Sequence, residues 1–320
     1  MRRRSLLWAG LPWLASRAHA QAGLPSVGAL TPWREPSPQI ATHGALEVGL
    51  AEGGWVDGRT VQILWRHGGG ERERLEAMAE DLVRLRVDAL YAPGALEVAA
   101  ARRATTTLPI VGVDLVSDPV QLGYAASLAR PGGNLTGIYL DGPGLLGKQM
   151  DLLRSALPRL QRVSVVGVQG INNAQLPMAA LAAQQLGLVL LPSLVEQTAP
   201  LDASFANAVR QKASAVLLLP SPKVSRADMA ALVGTYKLPV ITPHPHLAQT
   251  GALMAYGPDI RDMWRRGALQ LARILKGEPV ATMPIERPDR FSFVLNARTA
   301  KLLGMDLPPT LRVLADEVIE

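Results

Sequence analysis

The chain has 320 residues, 48% hydrophobic, 19% charged and 4% aromatic, with 33 Lys and Arg against 27 Asp and Glu and no Cys. A core-sized apolar fraction without a thiol excludes a disordered chain, a disulfide scaffold, a zinc–thiolate protein and a coiled coil. The length suits two domains, and the formal charge of +6 raises nucleic acid or an anionic membrane as partners until its placement along the chain is considered.

Arg2, Arg3 and Arg4 precede an apolar run from Leu6 to Leu14, and Ala18-His19-Ala20 follows. A positive start, a short apolar stretch and a small-x-small site define an export signal over residues 1–20, with the mature chain starting at Gln21. The run is far shorter than the ~20 residues of a membrane span. Arg3-Arg4-Ser5-Leu6-Leu7 fits the twin-arginine and the Sec pattern, so either export route is open, and no Cys is present to carry a lipid anchor. The leader carries Arg2, Arg3, Arg4 and Arg17 and no acid, so the mature chain keeps a balance of only +2. With no basic tract left, a nucleic-acid role loses its support.

Strands are predicted over Ser26–Leu30, Thr60–Trp65, Ala89–Ala92 and Ile110–Val113, separated by helical periodicity over Ile40–Glu52, Arg72–Arg84 and Leu96–Arg103. The second half repeats the alternation, with helices over Gly147–Leu157, Leu176–Leu186, Phe205–Lys212 and Arg226–Tyr236. Its strands lie near Val163–Val168, Leu188–Leu191, Ala215–Leu219 and Val240–Thr242. Alternating β and α elements predict parallel sheets covered by helices on both faces. Asp88-Ala89-Leu90-Tyr91-Ala92-Pro93 followed by Leu108-Pro109-Ile110-Val111 is echoed about 130 positions later by Ser214 to Pro220 and Leu238-Pro239-Val240-Ile241. The fold class is therefore α/β with two Rossmann-like lobes facing each other across a cleft.

In open α/β sheets a ligand lies beyond the carboxyl ends of the strands. That rule selects Thr31, Trp33, Gly94, Ala95, Asp114, Ser117 and Asp118 in the first half. In the second it selects Tyr139, Asp141, Gln169, Asn172, Asn173, Ser221, Lys223, His244 and His246. Trp33 stands out as a large aromatic in a Pro-rich polar loop, suited to stacking on a ligand or sealing a cleft. Pro243-His244-Pro245-His246 offers two imidazoles but no third ligand nearby, so it reads as polar lining and no metal is expected. Ser117 and Asp118 serve equally as a ligand clamp or as a turn and cap. Gly68-Gly69-Gly70 lacks the lysine and hydroxyl of a phosphate loop, no nucleophile elbow or dinucleotide fingerprint is present, and no cofactor is expected. Arg102, Arg103, Arg261, Arg265 and Arg266 read as solvated helix faces.

Asp118-Pro119-Val120 through Ser127-Leu128-Ala129-Arg130-Pro131-Gly132-Gly133-Asn134-Leu135-Thr136-Gly137 resembles a large bacterial family, the ABC transporter substrate-binding proteins of the tryptophan/tyrosine type. Gly53-Gly54-Trp55-Val56-Asp57-Gly58, Gly251 to Gly257 and Arg290 to Asn296 resemble further stretches of it. The resemblance implies a type 1 periplasmic binding (Venus-flytrap) fold with a three-strand hinge crossing near Thr136–Ile138, Leu253–Tyr256 and Pro288–Phe291. Lobe 1 would then be residues 21–137 plus 255–288, and lobe 2 residues 138–254 plus 289–320. It implies pocket residues at Gly94, Ala95, Ser117, Asp118, Asn172, Asn173 and Tyr256. The chain departs from the family at Gln169-Gly170-Ile171-Asn172-Asn173 and at Pro243 to Leu247, so tryptophan/tyrosine specificity does not carry over with the fold.

The expectation is a monomeric periplasmic protein, not an enzyme and not membrane-inserted after signal cleavage. It captures a small solute, an amino acid or related compound, for an ABC permease and its ATPase. A periplasmic ligand-sensing subunit for a membrane signalling protein is the alternative, and an exported α/β hydrolase a weaker one.

Overall fold

The computed structural model describes residues 23–33, 40–69, 71–114, 117–196, 198–221, 223–224 and 227–320. The export signal expected over 1–20 lies outside them, as does Arg226 at the start of one predicted helix.

The first lobe is built from β1 (Ser26–Thr31), β2 (Gln62–His67), β3 (Ala89–Ala92), β4 (Ile110–Asp114) and β5 (Leu135–Tyr139), in the order β2-β1-β3-β4-β5. Every pairing is parallel. Strands buried on both sides must be apolar at successive positions, and β3 reads Ala-Leu-Tyr-Ala, each residue fully buried. Ala89 and Tyr91 join Val27, Ala29, Val111 and Val113 in the core on one face. Leu90 and Ala92 join Leu30 and Ile110 on the other. Helices α2 (Arg72–Arg84) and α3 (Ala95–Ala104) cover the second face, contributing Leu75, Ala79, Leu82, Val98 and Ala101.

The opposite face is closed by α1 (Ile40–Glu52) and a helix from far along the chain. To follow the chain there, α4 (Gly142–Ala156), α5 (Gln175–Gln185), α6 (Asp202–Arg210), α7 (Met229–Tyr236) and α8 (Pro245–Gln249) come first, and α9 (Ile260–Leu275) returns to the first lobe. Gly49 on α1 and Gly53 just past its end stand about one turn apart, where a Cβ would collide with the Arg265 carbonyl oxygen and the Ala268 methyl of α9 at the first and with the Ala272 methyl at the second. The glycines therefore let the two helix backbones touch, and the Trp55 indole N–H donates to the Ala272 carbonyl at 3.1 Å. Arg265 and Arg266 are not a solvated face. Arg265 pairs with Glu52 at 2.7 Å and Asp262 at 2.9 Å, and Arg266 with Glu286 at 2.5 Å and Asp289 at 2.8 Å. Helical spacing placed them on one side of α9, and that side meets α1 and the returning chain, so both side chains are only partly exposed. Arg102 donates to the side chain of Asn134 and lies over the Tyr124 ring, whereas Arg103 is solvated as expected, 72% exposed beside Glu76.

The second lobe holds β6 (Arg162–Val168), β7 (Val189–Val195), β8 (Ala215–Leu218), β9 (Val240–Thr242), β10 (Met254–Pro258), β11 (Phe291–Asn296) and β12 (Glu317–Ile319). Their order is β12-β11-β10-β9-β8-β6-β7, parallel except for the antiparallel β10–β11 pair. Ala215 and Leu217 face the core shared with α4 and α5, while Val216 and Leu218 face Phe205 of α6 and Met229 of α7. Two short helices, α10 (Ala297–Leu302) and α11 (Pro309–Leu314), complete the lobe. The internal echo is structural: Leu90 N–H donates to the Pro109 carbonyl at 2.8 Å, and Val216 N–H to the Pro239 carbonyl at 2.9 Å. In each lobe the proline opens the strand that pairs with the preceding one.

The chain passes between the sheets three times. β5 stays in the first sheet through Tyr139, and α4 opens in the second lobe at Gly142, so the first passage is Leu140–Asp141, slightly later than the expected 136–138. β10 pairs with β9 through Ala255 and with β11 as far as Pro258. The second passage therefore falls at Pro258–Asp259 and not at Leu253–Tyr256, because Met254–Tyr256 lie within β10 of the seven-stranded sheet. The third lies between Glu286, bridged to Ile138 of β5, and Phe291 of β11. No helix among the described residues is long and apolar enough to cross a membrane.

Candidate functional site

A cleft of about 880 Å³ lies between the two lobes. Its first wall is assembled from strand ends: Pro32 and Trp33 after β1, Pro93 and Gly94 after β3, and Val113 and Asp114 at the end of β4. The first turn of α3 adds Ala95, Leu96 and Glu97, and α9 adds Ile260, Met263 and Trp264. The facing wall comes from the same ends of the second sheet: Ile171 after β6, Pro220 and Ser221 after β8, and His244, Pro245 and His246 after β9. Phe291 and Ser292 open β11 beside them, α9 also adds Arg261, and the passages supply Pro258, Asp259, Asp289 and Arg290.

Matching turns present the two walls. Thr31-Pro32-Trp33 and Thr242-Pro243-His244 each end a strand with a buried threonine whose Oγ1 accepts the backbone N–H two residues on, at 3.3 Å in both. Thr31 thus holds the turn that delivers Trp33 and is not itself among the residues lining the cleft. Burial pushes the His244 imidazole down to about 3, with His246 adding repulsion, and its Nε2 is sequestered without a hydrogen-bond partner. A neutral ring there adds polarity without charge.

Glu97 is the least expected residue of the cleft. It occupies the first turn of α3, is 2% exposed, and its Oε1 has no hydrogen-bond partner. Gly94 precedes that turn because a Cβ there would collide with the Glu97 carboxylate folded back over the helix start. Burial, with a contribution from the Asp114 charge, pushes the Glu97 carboxyl up to about 8 even though a backbone N–H favours its ionised form. Asp114 is 1% exposed and accepts the Ser117 N–H at 3.2 Å.

Of the residues singled out from sequence, Trp33, Gly94, Ala95, Ser221 and His244 meet at this cleft, together with Asp114 and His246. Ser221 also accepts the Val224 N–H at 3.1 Å and so shapes its own turn. The others serve the frame. Asp118 caps a turn, accepting from Val120 at 2.8 Å and Gln121 at 3.1 Å, and Ser117 is engaged with Asp114. The Tyr139 ring turns into the first core with its hydroxyl against Gly112, and burial pushes the phenol up. Asp141 caps α4 at the first passage, 3.8 Å from Arg287. Asn172 is fully buried, taking the Val168 N–H at 2.7 Å and donating to Gln175 and the Pro220 carbonyl; Asn173 accepts the Gly170 N–H at 2.7 Å. Tyr256 stacks behind Phe291, with ring centroids 5.7 Å apart. A strand-end rule finds the loops but not which side chain of a loop turns outward, because Asn, Asp, Ser and Thr are also the residues that close turns. Glu97, Phe291, Arg261 and Arg290 line the cleft but were not singled out: they sit on the first turns of two helices, a strand start and a passage, where a rule about loops does not look. Among the described residues no group of three His, Asp or Glu is placed to hold a metal ion.

Two sheets with strand ends converging on a shared cleft, joined by three passages, define a bilobal ligand-binding protein. Residues 26–319 match the model of the ABC transporter substrate binding protein family, and the chain belongs to it. A "Tyrosine-binding protein" of Clostridioides difficile strain R20291 is 23% identical over 277 residues, covering 84% of this chain and 78% of that protein. The structure of an ABC domain from Streptococcus pneumonia in complex with L-Trp aligns over 93% of this chain and all of that one, with TM-score 0.83 and 21% identity. A conserved domain protein from Vibrio cholerae aligns over 92% of this chain and all of that one, with TM-score 0.84 and 23% identity.

Proposed function

We propose that this protein is the solute-capturing component of an ABC importer, exported to the periplasm, where it closes two lobes on a small solute and delivers it to a membrane permease served by an ATPase. The single observation that carries the reading is the cleft lined from both sheets and crossed by three short passages, a geometry in which ligand contacts to both walls favour the closed form. The amino-acid ligands in the names of the tyrosine-binding relative and the L-Trp complex support an amino acid or a related amine as the solute class. Trp33, Trp264 and Phe291 give the cleft aromatic surface for an apolar ligand portion, and Arg261 at the start of α9 and Arg290 at the third passage suit a carboxylate.

The test is native mass spectrometry of the mature protein purified from a periplasmic extract, followed by uptake of the identified radiolabelled solute in cells with and without the gene. A bound small molecule whose uptake falls with the deletion supports the reading. A bound molecule whose uptake is unchanged contradicts import.

A further inference from the structure

The turn Thr242-Pro243-His244 that forms part of the second wall is held from two sides. Thr242 Oγ1 accepts the His244 N–H, and Gly257 of β10 leaves room for the Pro243 carbonyl oxygen, which a Cβ would meet at 2.3 Å. His244 also opens α8, its carbonyl accepting the Leu247 N–H at 3.0 Å, and its imidazole lines the cleft beside Ile171, Pro220, Ser221 and Pro245. The two ring nitrogens are not equivalent there. Nε2 is closed to water and has no hydrogen-bond partner among the described residues. Nδ1 is not closed off and is likewise unpartnered among the described residues, which makes it the nitrogen open to the cleft. A neutral imidazole carries one N–H and one lone pair, and the surroundings of each nitrogen decide which is which. Buried N–H groups without a partner are rarer than bare acceptors, so the sequestered Nε2 keeps the lone pair and Nδ1 carries the proton.

We propose that His244 is a specificity-determining residue of the second wall, its Nδ1–H donating to an uncharged oxygen of the solute and so selecting an amino acid with a hydroxyl, phenol or carboxamide over its hydrocarbon counterpart. The inference rests on the reading of the cleft as the site of an amino acid or related compound and adds the chemistry of one wall. An ammonium or a hydrocarbon tail brings no acceptor to an N–H. A carboxylate is an acceptor, but Arg261 and Arg290 offer it charge-assisted bonds that a neutral ring cannot match. The ring is kept neutral by burial and by repulsion from His246, so its partner is a group that carries no charge into the same surroundings. The deoxy analogue is rejected because, once the cleft closes on it, the Nδ1–H loses water and meets no oxygen. Ser221 shares the wall, and its oxygen is already engaged by the Val224 N–H.

The test uses the mature protein and probe pairs that differ by one uncharged oxygen-bearing group: L-tyrosine and L-phenylalanine, 5-hydroxy-L-tryptophan and L-tryptophan, L-threonine and L-2-aminobutyrate, L-glutamine and L-norvaline. Calorimetry gives the affinity ratio within each pair for wild type, His244→Phe, His244→Asn and His244→Gln. His244→Phe keeps an aromatic ring without nitrogens, whereas the Asn amide stands about where Nδ1 stood and the Gln amide about where Nε2 stood. The expected result is that, in the pair that binds, wild type prefers the oxygenated member by about tenfold or more. His244→Phe brings the ratio close to one, and His244→Asn keeps most of the preference. Circular dichroism and melting curves establish that each variant is folded, and if His244→Phe fails to fold, the Asn and Gln variants decide. No preference in wild type, a preference unchanged in folded His244→Phe, or one kept by Gln and lost in Asn overturns the inference while the cleft remains the solute site. So does a copurifying solute when no probe of the four pairs binds. Absence of any binder and of any copurifying solute overturns the solute site itself.

Discussion

The backbone N–H of Asp259 donates to the carbonyl oxygen of Arg290 at 2.9 Å, tying the second passage between the lobes to the third. Asp259 also starts α9, its Oδ1 accepting the Asp262 N–H at 3.1 Å. One residue thus couples the end of β10, the first turn of the helix that closes the first lobe, and the strand returning to the second. Two adjacent passages are thus bonded to each other, and both contribute residues to the cleft.

Asp259→Ala removes the cap and leaves the passage bond in place. The expected loss is about 1 kcal/mol of stability, read as a lower urea midpoint. Asp259→Asn retains a capping oxygen and is expected to lie close to wild type.

Asn172 is the most heavily used side chain of the loop after β6. Its replacement by Ala strips partners from the Val168 N–H, Gln175 Oε1 and the Pro220 carbonyl in a site without water access. A destabilisation of about 2–4 kcal/mol is expected, measured by chemical denaturation.

Gly49→Val places a branched side chain where the α9 backbone already touches α1. Overpacking at such a contact costs about 1–3 kcal/mol, and a melting temperature several degrees below wild type is the expected reading.

Much of this architecture is legible in the sequence because it is written in local patterns. The ranges of α1, α2 and β3 follow directly from apolar spacing, and the Leu-Pro echo marks the paired strands of both lobes. The raw charge is likewise local, since Arg2, Arg3, Arg4 and Arg17 all lie within residues 1–20. What the sequence does not display is which polar residues turn inward. Asn172 and Thr31 look like ligand contacts from their strand-end positions, yet each satisfies backbone groups. Glu97 looks like an ordinary first-turn acid on a helix, and only the folded chain brings β4 and its Asp114 beside it. The passage at Asp259 was misplaced because β10 is stabilised by partners on both sides, a tertiary effect with no local signature.

The ligand-free protein carries a pH signature from Glu97. The unfolded carboxyl titrates near 4.5 and the folded one at about 8, so the folded state binds more protons between those values and stability falls as pH rises through that window. The full loss is on the order of a few kcal/mol. Urea midpoints from pH 5 to 8.5 are expected to decline for wild type and to decline less for Glu97→Gln.

His244 works in the opposite sense. Its folded value is held down to about 3 against 6.5 for a free imidazole, so the unfolded chain binds the extra proton and stability is lost as pH falls from 6.5 toward 3. In NMR the His244 ring resonances are expected to stay flat between pH 5 and 8.

The account's central claim is that one solute is held by both walls of the cleft at once. Calorimetric titration of wild type, Trp33→Ala and Phe291→Ala with the solute identified by native mass spectrometry tests it directly, since the two side chains belong to opposite lobes. The predicted result is a loss of affinity of about tenfold or more in each variant, with both folds intact by circular dichroism. Wild-type affinity in both folded variants, or loss in one and none in the other, would contradict capture between the lobes.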